Sequence, residues 1–427
     1  MNARFRLLLI VAGTALSLEP LPGAAQRQSQ PGPTLARLLE HVRADEPSTL
    51  RAFWDSITAW GTPLMDVRAQ DPSRVLAQFV YRGDTIRNVV LENGVNGWDY
   101  MMNQLERLPG TDIWHMTVSV PADVRLGYVF RANDDLIPWH LEPDQAKRWA
   151  SNTADPFNPG LDTAQGRRSI LVGPEAEPDT LSRPKPGVAT GTIEDLELES
   201  RAYGRSRSFS VYLPPTSSPE GLGLVVIFDG PVYRRTIRVP AILDNLLGSH
   251  SIEPVAAVFV SQVDRNAELV PNATFERFVI DELIPHVRAK YRLSPDPAKT
   301  IALGSSHGGL AANWLALSHP EVIGNVISES ASLWWSPPDD PEPEYHSRLV
   351  AREPAKPIRF WIEAGRFEID RTAGGRPGQL TVSRHFRDVL RARGYDVAWS
   401  EFPGGHEYQS WRVTLPHALL HFLAVRR

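Results

Sequence analysis

The spacing of apolar residues predicts a helix and then a set of short strands in the first third of the chain. The apolar face of the predicted helix consists of Leu50, Phe53, Trp54, Ile57 and Trp60. From residue 75 apolar and polar positions alternate, and turn sequences separate the alternating runs. The predicted strands lie at 77–81, 88–91, 114–120 and 127–130, with turns at 82–84, 93–94 and 109–110. Short strands at this spacing predict a small β-sandwich within residues 33–154.

The pattern changes after a proline-rich, aperiodic segment at 155–192, which is predicted to be a linker. Beyond it, near-continuous apolar runs alternate with helical stretches. The predicted strands lie at 209–213, 222–228, 255–260, 301–303, 325–327, 358–363 and 397–401, and the predicted helices at 274–291, 380–393 and 411–425. This alternation predicts an α/β domain at 193–427, with a doubly wound, mostly parallel sheet covered on both faces.

The sequence GSSHG at 304–308 separates one of these strands from an amphipathic helix predicted to begin at Leu310. It fits the nucleophile elbow G-x-S-x-G, in which flanking glycines let the strand and the helix pack closely around a strained serine. The Ser306 hydroxyl would lie at the carboxyl end of the sheet, above a helix N-terminus that favours negative charge. An elbow on such a sheet predicts an α/β-hydrolase.

A serine hydroxyl needs a base, and the base needs a carboxylate to orient it. His406 follows two glycines between the last strand and the last helix, so it is the predicted base. Glu368 and Asp370 both follow the strand at 358–363, where a triad acid belongs. Glu368 is favoured, and Asp370 stays open as the alternative.

Two backbone N–H groups are expected to stabilise the oxyanion. The first belongs to His307, which follows the nucleophile and whose ring is expected to line the mouth of the pocket. The second is expected from the turn DGPV at 229–232. Because Pro231 has no N–H, Gly230 or Val232 must donate, and the sequence does not decide between them.

Composition narrows the classes of function. A formal net charge of −5 without a basic stripe argues against nucleic acid as the main partner. The absence of cysteine excludes disulfides and a thiol nucleophile. His417 and His421 are four residues apart on the last helix but lack an acidic third ligand, so they are interpreted as structural. Neither a metal site nor a cofactor is expected.

The first 25 residues have the features of an export signal. Arg4 and Arg6 precede an apolar run at 7–18, and small residues follow at 23–25. The run is too short to span a bilayer, and no later segment is long enough. We therefore expect cleavage near Ala25-Gln26 and a periplasmic or secreted protein that is not inserted in a membrane.

Several motifs together resemble those of the enterochelin (enterobactin) esterase family. In the catalytic region they are RNAEL at 265–269, ELIP at 282–285, GLAA at 309–312, SASLWW at 330–335, GGH at 404–406 and WR at 411–412. In the N-terminal region they are WGTPL at 60–64, RLPGTDIW at 107–114 and DPFNP at 155–159. The resemblance covers roughly residues 50–425. Two positions depart from the family pattern: His307 stands where the family has an apolar or small side chain, and Pro231 stands where an N–H donor would be convenient.

The resemblance implies hydrolysis of the esters of a cyclic tri-serine catecholate siderophore, free or ferric, and an immunoglobulin-like N-terminal module. Iron would arrive with this small-molecule substrate. Guanidinium groups and aromatic rings suit an anionic catecholate complex. The candidate substrate contacts are Arg265, Trp334, Trp335 and Arg412.

Two alternatives stay open at this point. The same superfamily includes esterases that act on feruloyl and acetyl esters of carbohydrates, so the family does not fix the substrate. The alternative from another class is a non-catalytic exported binding protein on a hydrolase scaffold. The presence of all three triad residue types speaks against it.

Overall fold

The computed structural model describes residues 26–28, 30–92, 103–138, 141–162, 167–216, 218–369 and 376–425. The predicted export signal, the predicted turn at 93–94 and Asp370 lie outside the described residues. Within them, no helix has both the length and the apolar character that crossing a membrane requires.

The described residues of the N-terminal region form two antiparallel sheets and three α-helices. The helices are α1 (Pro33–Glu40), α2 (Pro47–Trp60) and α3 (Gln145–Ala150). The strands are β1 (Gln26–Gln28), β2 (Leu64–Val67), β3 (Arg74–Arg82), β4 (Val89–Glu92), β5 (Glu106–Arg107), β6 (Ile113–Pro121), β7 (Arg125–Ala132), β8 (Leu161–Asp162) and β9 (Arg168–Val172). One sheet has the order β1-β6-β3-β2, with β5 also paired to β6, and the other has the order β4-β7-β9-β8. All four strands predicted from alternation are present.

The two sheets enclose a common apolar core, because alternate residues of each strand point to the same side. Phe79 of β3 meets Tyr128 of β7 at a ring-centroid distance of 5.0 Å, and both are fully buried. The predicted helix α2 buries Phe53, Trp54 and Ile57. The region is therefore a sandwich with a helix packed against it.

Residues 155–162 and 167–172 lie in the segment predicted to be a linker, but they pack with the N-terminal sheets. β9 pairs with β7 along residues 169–172. Asp155 is 3% exposed and accepts a hydrogen bond from the Tyr128 hydroxyl at 2.6 Å. The prolines and glycines of this segment leave only short strands between them, so their alternation is too brief to be recognised in the sequence.

The C-terminal region contains one eight-stranded sheet. Its strands are β10 (Thr192–Ser200), β11 (Arg205–Leu213), β12 (Gly223–Ile227), β13 (Val255–Val260), β14 (Thr300–Ser305), β15 (Asn325–Glu329), β16 (Arg359–Gly365) and β17 (Asp396–Phe402). The order is β10-β11-β13-β12-β14-β15-β16-β17. The two pairs that involve β11 are antiparallel and all others are parallel.

Helices cover both faces of this sheet. They are α4 (Gly230–Val232), α5 (Val239–Gly248), α6 (Arg265–Glu268), α7 (Ala273–Arg277), α8 (Ile284–Tyr291), α9 (His307–Ser318), α10 (Tyr345–Arg352), α11 (Gln379–Ala392) and α12 (Tyr408–Leu423). Wide-turn π segments at Tyr233–Ile237 and Phe278–Leu283 and a 3₁₀ turn at Pro297–Lys299 complete the set. One apolar core joins α7, α8, α9 and α11 to the sheet, and a second core joins α5 and α12 to the opposite face.

Helix α9 differs from the amphipathic helix that was predicted after the elbow. Residues 308–313 and 315–317 are all buried, so the helix has almost no solvent face. Its small residues at 308, 309, 311 and 312 allow this, because they let the helix lie close to β14 and β15. The helix that supports the nucleophile is therefore fixed on all sides.

The first prediction concerns His346 of α10, which is fully buried against Trp314 and Tyr345. Burial lowers its pKa from 6.5 to about 3. The unfolded chain takes up this proton below pH 6.5 while the folded chain resists it, so stability falls with pH in that window. Between pH 7.5 and 5 the unfolding free energy should drop by about 2 kcal/mol more in the wild type than in His346→Phe.

Urea denaturation at the two pH values measures this difference. His41→Gln, at an exposed histidine, is the control and should keep the wild-type pH dependence. An equal drop in wild type and His346→Phe would contradict the assignment.

Candidate active site

Ser306 stands on a strained turn between β14 and α9. Its backbone has φ 55° and ψ −123°, which a non-glycine residue adopts only when its surroundings impose it. The Ser306 N–H donates to the Glu329 carbonyl at 3.1 Å, and the Ser306 carbonyl accepts from the Ser332 N–H at 2.9 Å. A Cβ on Gly304 would come within 2.4 Å of the Gly308 carbonyl carbon, so the close turn requires glycine there.

His406 and Glu368 are hydrogen-bonded to each other at the same edge of the sheet. Glu368 Oε2 lies 2.7 Å from His406 Nδ1, and Glu368 is only 7% exposed. Its other oxygen accepts from the Ser330 hydroxyl at 2.6 Å and from the Gly365 N–H at 2.7 Å. These hydrogen bonds fix the orientation of the Glu368 carboxylate, and the carboxylate in turn orients the His406 ring.

The Ser306 hydroxyl has a different partner in this structure. Its Oγ lies 3.3 Å from Ser332 Oγ, and no hydrogen bond joins Ser306 to His406 although the structure describes both residues. His406 is nevertheless close enough to the elbow to affect the titration of His307. Catalytic hydrogen bonds are often long without substrate and shorten in the reacting complex.

The turn at 229–232 discriminates between the two candidate oxyanion donors. The Val232 N–H donates to the Asp229 carbonyl at 2.9 Å, so it is engaged within the turn. Gly230 begins α4, and His307 begins α9, where N–H groups have no partner inside their helix. This geometry favours the N–H of Gly230 over that of Val232 as the partner of the His307 N–H.

An ion pair fixes the residue that precedes Gly230. Arg265 donates through Nε and Nη2 to the two Asp229 oxygens at 2.7 and 2.8 Å. Asp229 has a left-handed backbone (φ 53°), so the bidentate contact holds an unusual turn in place. Arg265 Nη1 also lies 3.4 Å from His307 Nδ1. Burial, then the charges of Arg265 and His406, lower the pKa of His307 to about 4.

The four predicted substrate contacts fall into two pairs. Trp334 lies beside the elbow, with its ring 5.9 Å from that of His307, and Arg265 is 38% exposed there. Trp335 instead packs against Tyr345, and Arg412 forms an ion pair with Asp179 at 2.7 Å. The structure therefore brings Arg265 and Trp334 to the site and places the other two in structural contacts.

The two histidines of the last helix have separate surroundings. His417 contacts Glu177 at 2.9 Å, whereas His421 packs against the ring of Trp361 at 5.6 Å. Over the described ranges, no group of three or more His, Asp or Glu side chains is arranged to hold a metal ion.

A buried pair of glutamates lies beneath the nucleophile and is not evident from the sequence. Glu329 and Glu363 are opposite each other on β15 and β16, and both are fully buried. Burial, and next the neighbouring Glu363 carboxyl, raise the pKa of Glu329 well above its usual range; burial raises that of Glu363 to about 7. Tyr233 donates to Glu329, and Thr414 and Trp361 donate to Glu363. The two carboxyl groups beneath the site are thus polar, and protein side chains supply most of their hydrogen bonds.

The chain matches two protein families and is similar to known esterases. Residues 200–422 match the family described as "Putative esterase", and residues 76–181 match the one described as "Enterochelin esterase, N-terminal". An iron(III) enterobactin esterase of Dickeya dadantii is 29% identical over 440 residues, which cover 90% of this chain and 94% of the relative. An iron(III) salmochelin esterase of Escherichia coli O6:H1 is 25% identical and covers 89% and 95%.

Solved structures show the same fold. The enterobactin esterase of Shigella flexneri, crystallised in the presence of enterobactin, superposes with a TM-score of 0.69 at 24% identity, covering 87% of this chain and 97% of the other. The ferric enterobactin esterase of Salmonella typhimurium superposes with a TM-score of 0.71 at 24% identity, covering 87% and 98%. The predicted α/β-hydrolase fold and the family resemblance are confirmed.

The second prediction concerns the contact between Arg265 and His307. Removing the guanidinium in Arg265→Gln removes a positive charge that disfavours the imidazolium. The pKa of His307 should rise from about 4 but stay below 6.5, because burial is the larger cause. NMR titration of the ring measures it, and Arg412→Gln, whose guanidinium pairs with Asp179, is the control. An unchanged value in Arg265→Gln would contradict the geometry.

Proposed function

The chain belongs to the "Putative esterase" family, in the branch with an enterochelin esterase N-terminal domain, and on that premise we propose that it hydrolyses the esters of a catecholate siderophore. The observation that carries the catalytic part is the Glu368–His406 pair at the same sheet edge as the strained Ser306. The substrate class follows from the relatives named as enterobactin and salmochelin esterases. Iron belongs to the substrate and is not a resident cofactor.

In the proposed mechanism, Ser306 Oγ attacks an ester carbonyl while His406 takes its proton. Glu368 holds the imidazole in the tautomer with its proton on Nδ1 and stabilises the imidazolium that forms. The His307 and Gly230 N–H groups donate to the oxyanion. The Oγ–carbonyl bond forms, the ester bond breaks, and His406 returns the proton to the leaving serine hydroxyl of the siderophore.

Water then completes the reaction. His406 accepts a proton from water as its oxygen attacks the acyl carbon, and the proton passes to Ser306 Oγ when the acyl-enzyme breaks. The products are a free carboxylate and a regenerated Ser306. Because the pKa of His307 is about 4, its ring is neutral throughout this cycle at neutral pH.

Arg265 and Trp334 both contact His307, the residue that follows the proposed nucleophile, which supports a role for them in substrate binding. We assign to Arg265 the attraction of an anionic catecholate and to Trp334 stacking on its ring. Arg412 and Trp335 act through the packing of α12 and α10. We also propose export with cleavage near Ala25-Gln26, which the intact mass of the mature protein from a fractionated culture tests.

The third prediction addresses catalysis and substrate together. Ser306→Ala should lose at least about 10³-fold in the hydrolysis rate of ferric or iron-free enterobactin and still bind it, because the attacking oxygen is gone while the pocket remains. Mass spectrometry of linear products and tryptophan fluorescence measure the two quantities. Ser347→Ala, at a buried serine of α10, is the matched control and should keep wild-type activity.

The same assay compares enterobactin with feruloyl and acetylated sugars. Preferential cleavage of a sugar ester would replace the siderophore assignment with the carbohydrate esterase. Binding of enterobactin by the wild type without any hydrolysis or reaction with a fluorophosphonate would favour a non-catalytic binding protein.

The fourth prediction separates the two candidate acids. Glu368→Gln presents an amide N–H to His406 Nδ1 and favours the wrong tautomer, so kcat should fall about 10³–10⁴-fold with little change in KM. Asp370→Asn is the matched control and should stay within about three-fold of wild type. The reverse result would assign the acid to Asp370.

A further inference from the structure

The loop that carries His406 is bonded to the N-terminal sandwich. This histidine loop, residues 403–407, lies against β7. The Arg125 N–H donates to the Pro403 carbonyl at 2.9 Å, and the Gly127 N–H donates to Glu407 Oε2 at 2.7 Å. In the described part of the chain, strand β4 pairs with residues 129–132 of β7. The histidine loop bonds to residues 125 and 127 of the same strand.

Glu407 is buried and hydrogen-bonded where the histidine loop meets β7. It follows His406 directly, is 2% exposed and stands at the N-terminus of α12. Gln409 also donates to its Oε2. A Cβ at Gly127 would lie 2.7 Å from Gln409 Nε2 and 2.8 Å from Glu407 Oε2, so alanine at this position would force both side-chain ends to shift.

The loop that carries Glu368 rests on the same domain. Phe367 is 3% exposed and belongs to the apolar core of the sandwich, together with Leu126 and Tyr128. Its N–H donates to the Gly404 carbonyl at 3.2 Å, which joins the acid loop to the histidine loop. The loops that carry Glu368 and His406 therefore both contact the N-terminal domain.

A cleft of about 160 Å³ lies beside the histidine loop and is lined among others by Arg125, Pro403, Gly404, Ser410 and Val413. The hydrogen bonds to β7 are the directional contacts that restrain the loop next to this cleft.

We propose that Glu407 is a positioning residue, which through the Gly127 N–H ties the catalytic histidine loop to the N-terminal domain. His406 cannot take its proton from Ser306 unless its ring stays within hydrogen-bond reach, and a shift of about 1 Å can cost on the order of 10²-fold in rate. The N-terminal domain then helps to position the catalytic base, His406. This inference rests on the proposed function, because His406 matters as a base only there.

The test is the rate of phosphonylation of the full-length protein by a fluorophosphonate, read as a rate constant and a final amplitude. Glu407→Ala should lower the rate constant about 10- to 100-fold at full amplitude, since every molecule is folded but its base is misplaced. Glu407→Gln keeps an oxygen for the Gly127 N–H and should return to within about three-fold of wild type. Loss of amplitude alone would indicate partial unfolding and would overturn the proposal.

The partner side of the contact provides a second route. Gly127→Ala changes only the N-terminal domain but displaces the Glu407 carboxylate, so it should slow labelling as Glu407→Ala does. The double variant should be no slower than either single one, because both remove the same contact. Additive losses would contradict a shared mechanism.

Asp155→Asn is the matched control. It alters a buried carboxyl of the same domain that bonds to Tyr128 of β7 but does not contact the histidine loop. It should lower the melting temperature and leave the rate constant unchanged. An equal slowing in Asp155→Asn, or a wild-type rate in Glu407→Ala, would overturn the proposal, whereas failure of the wild type to label would refute the proposed function itself.

Discussion

The buried carboxylate of Glu368 is the constraint on which the rest of the site depends. It accepts hydrogen bonds from the Ser330 hydroxyl, the Gly365 N–H and the His406 imidazole. Trp411 in turn donates to Ser330 Oγ at 3.1 Å and lies edge-on to the His406 ring at 4.9 Å. The Glu368 carboxylate is thus held by groups at the end of β16 and in the loop after β15, and α12 supports them through Trp411. A charge taken out of water is stable only with such partners, so catalytic geometry and local stability have the same cause.

The two regions of the chain form one functional unit. Strand β7 bonds to the histidine loop, and Phe367 of the acid loop enters the apolar core of the sandwich. The nucleophile is held differently, by the parallel strands β14 and β15 and by the buried helix α9. Within the described residues, the contacts that hold Ser306 come from the C-terminal domain, whereas the proposed base and acid contact both domains. In the proposed mechanism, this division lets the sandwich contribute to catalysis.

Much of the fold was predictable, because its signals are local. The alternation of apolar and polar residues predicted the strands of the sandwich, and apolar runs predicted the parallel sheet. The glycines around Ser306 predicted the elbow. The contact between Gly127 and Glu407 joins residues 280 positions apart, and no periodicity records such a pair. Glu329 is the last residue of β15 and Glu363 lies near the end of β16, where a charged residue normally marks the approach to solvent, so their burial was not foreseen. The sequence did not decide whether Gly230 or Val232 donates the second N–H to the oxyanion. The structure favours Gly230, because the Val232 N–H already donates within the turn.

The crystal structure of the protein phosphonylated at Ser306 tests whether Ser306, His406 and Glu368 act together. If they do, His406 Nε2 lies within about 3.2 Å of Ser306 Oγ in this adduct while Nδ1 keeps its bond to Glu368. The phosphonyl oxygen then accepts from the His307 and Gly230 N–H groups. If His406 stays out of hydrogen-bond reach of Ser306, or if the modified residue is another serine, the three residues do not form a catalytic triad.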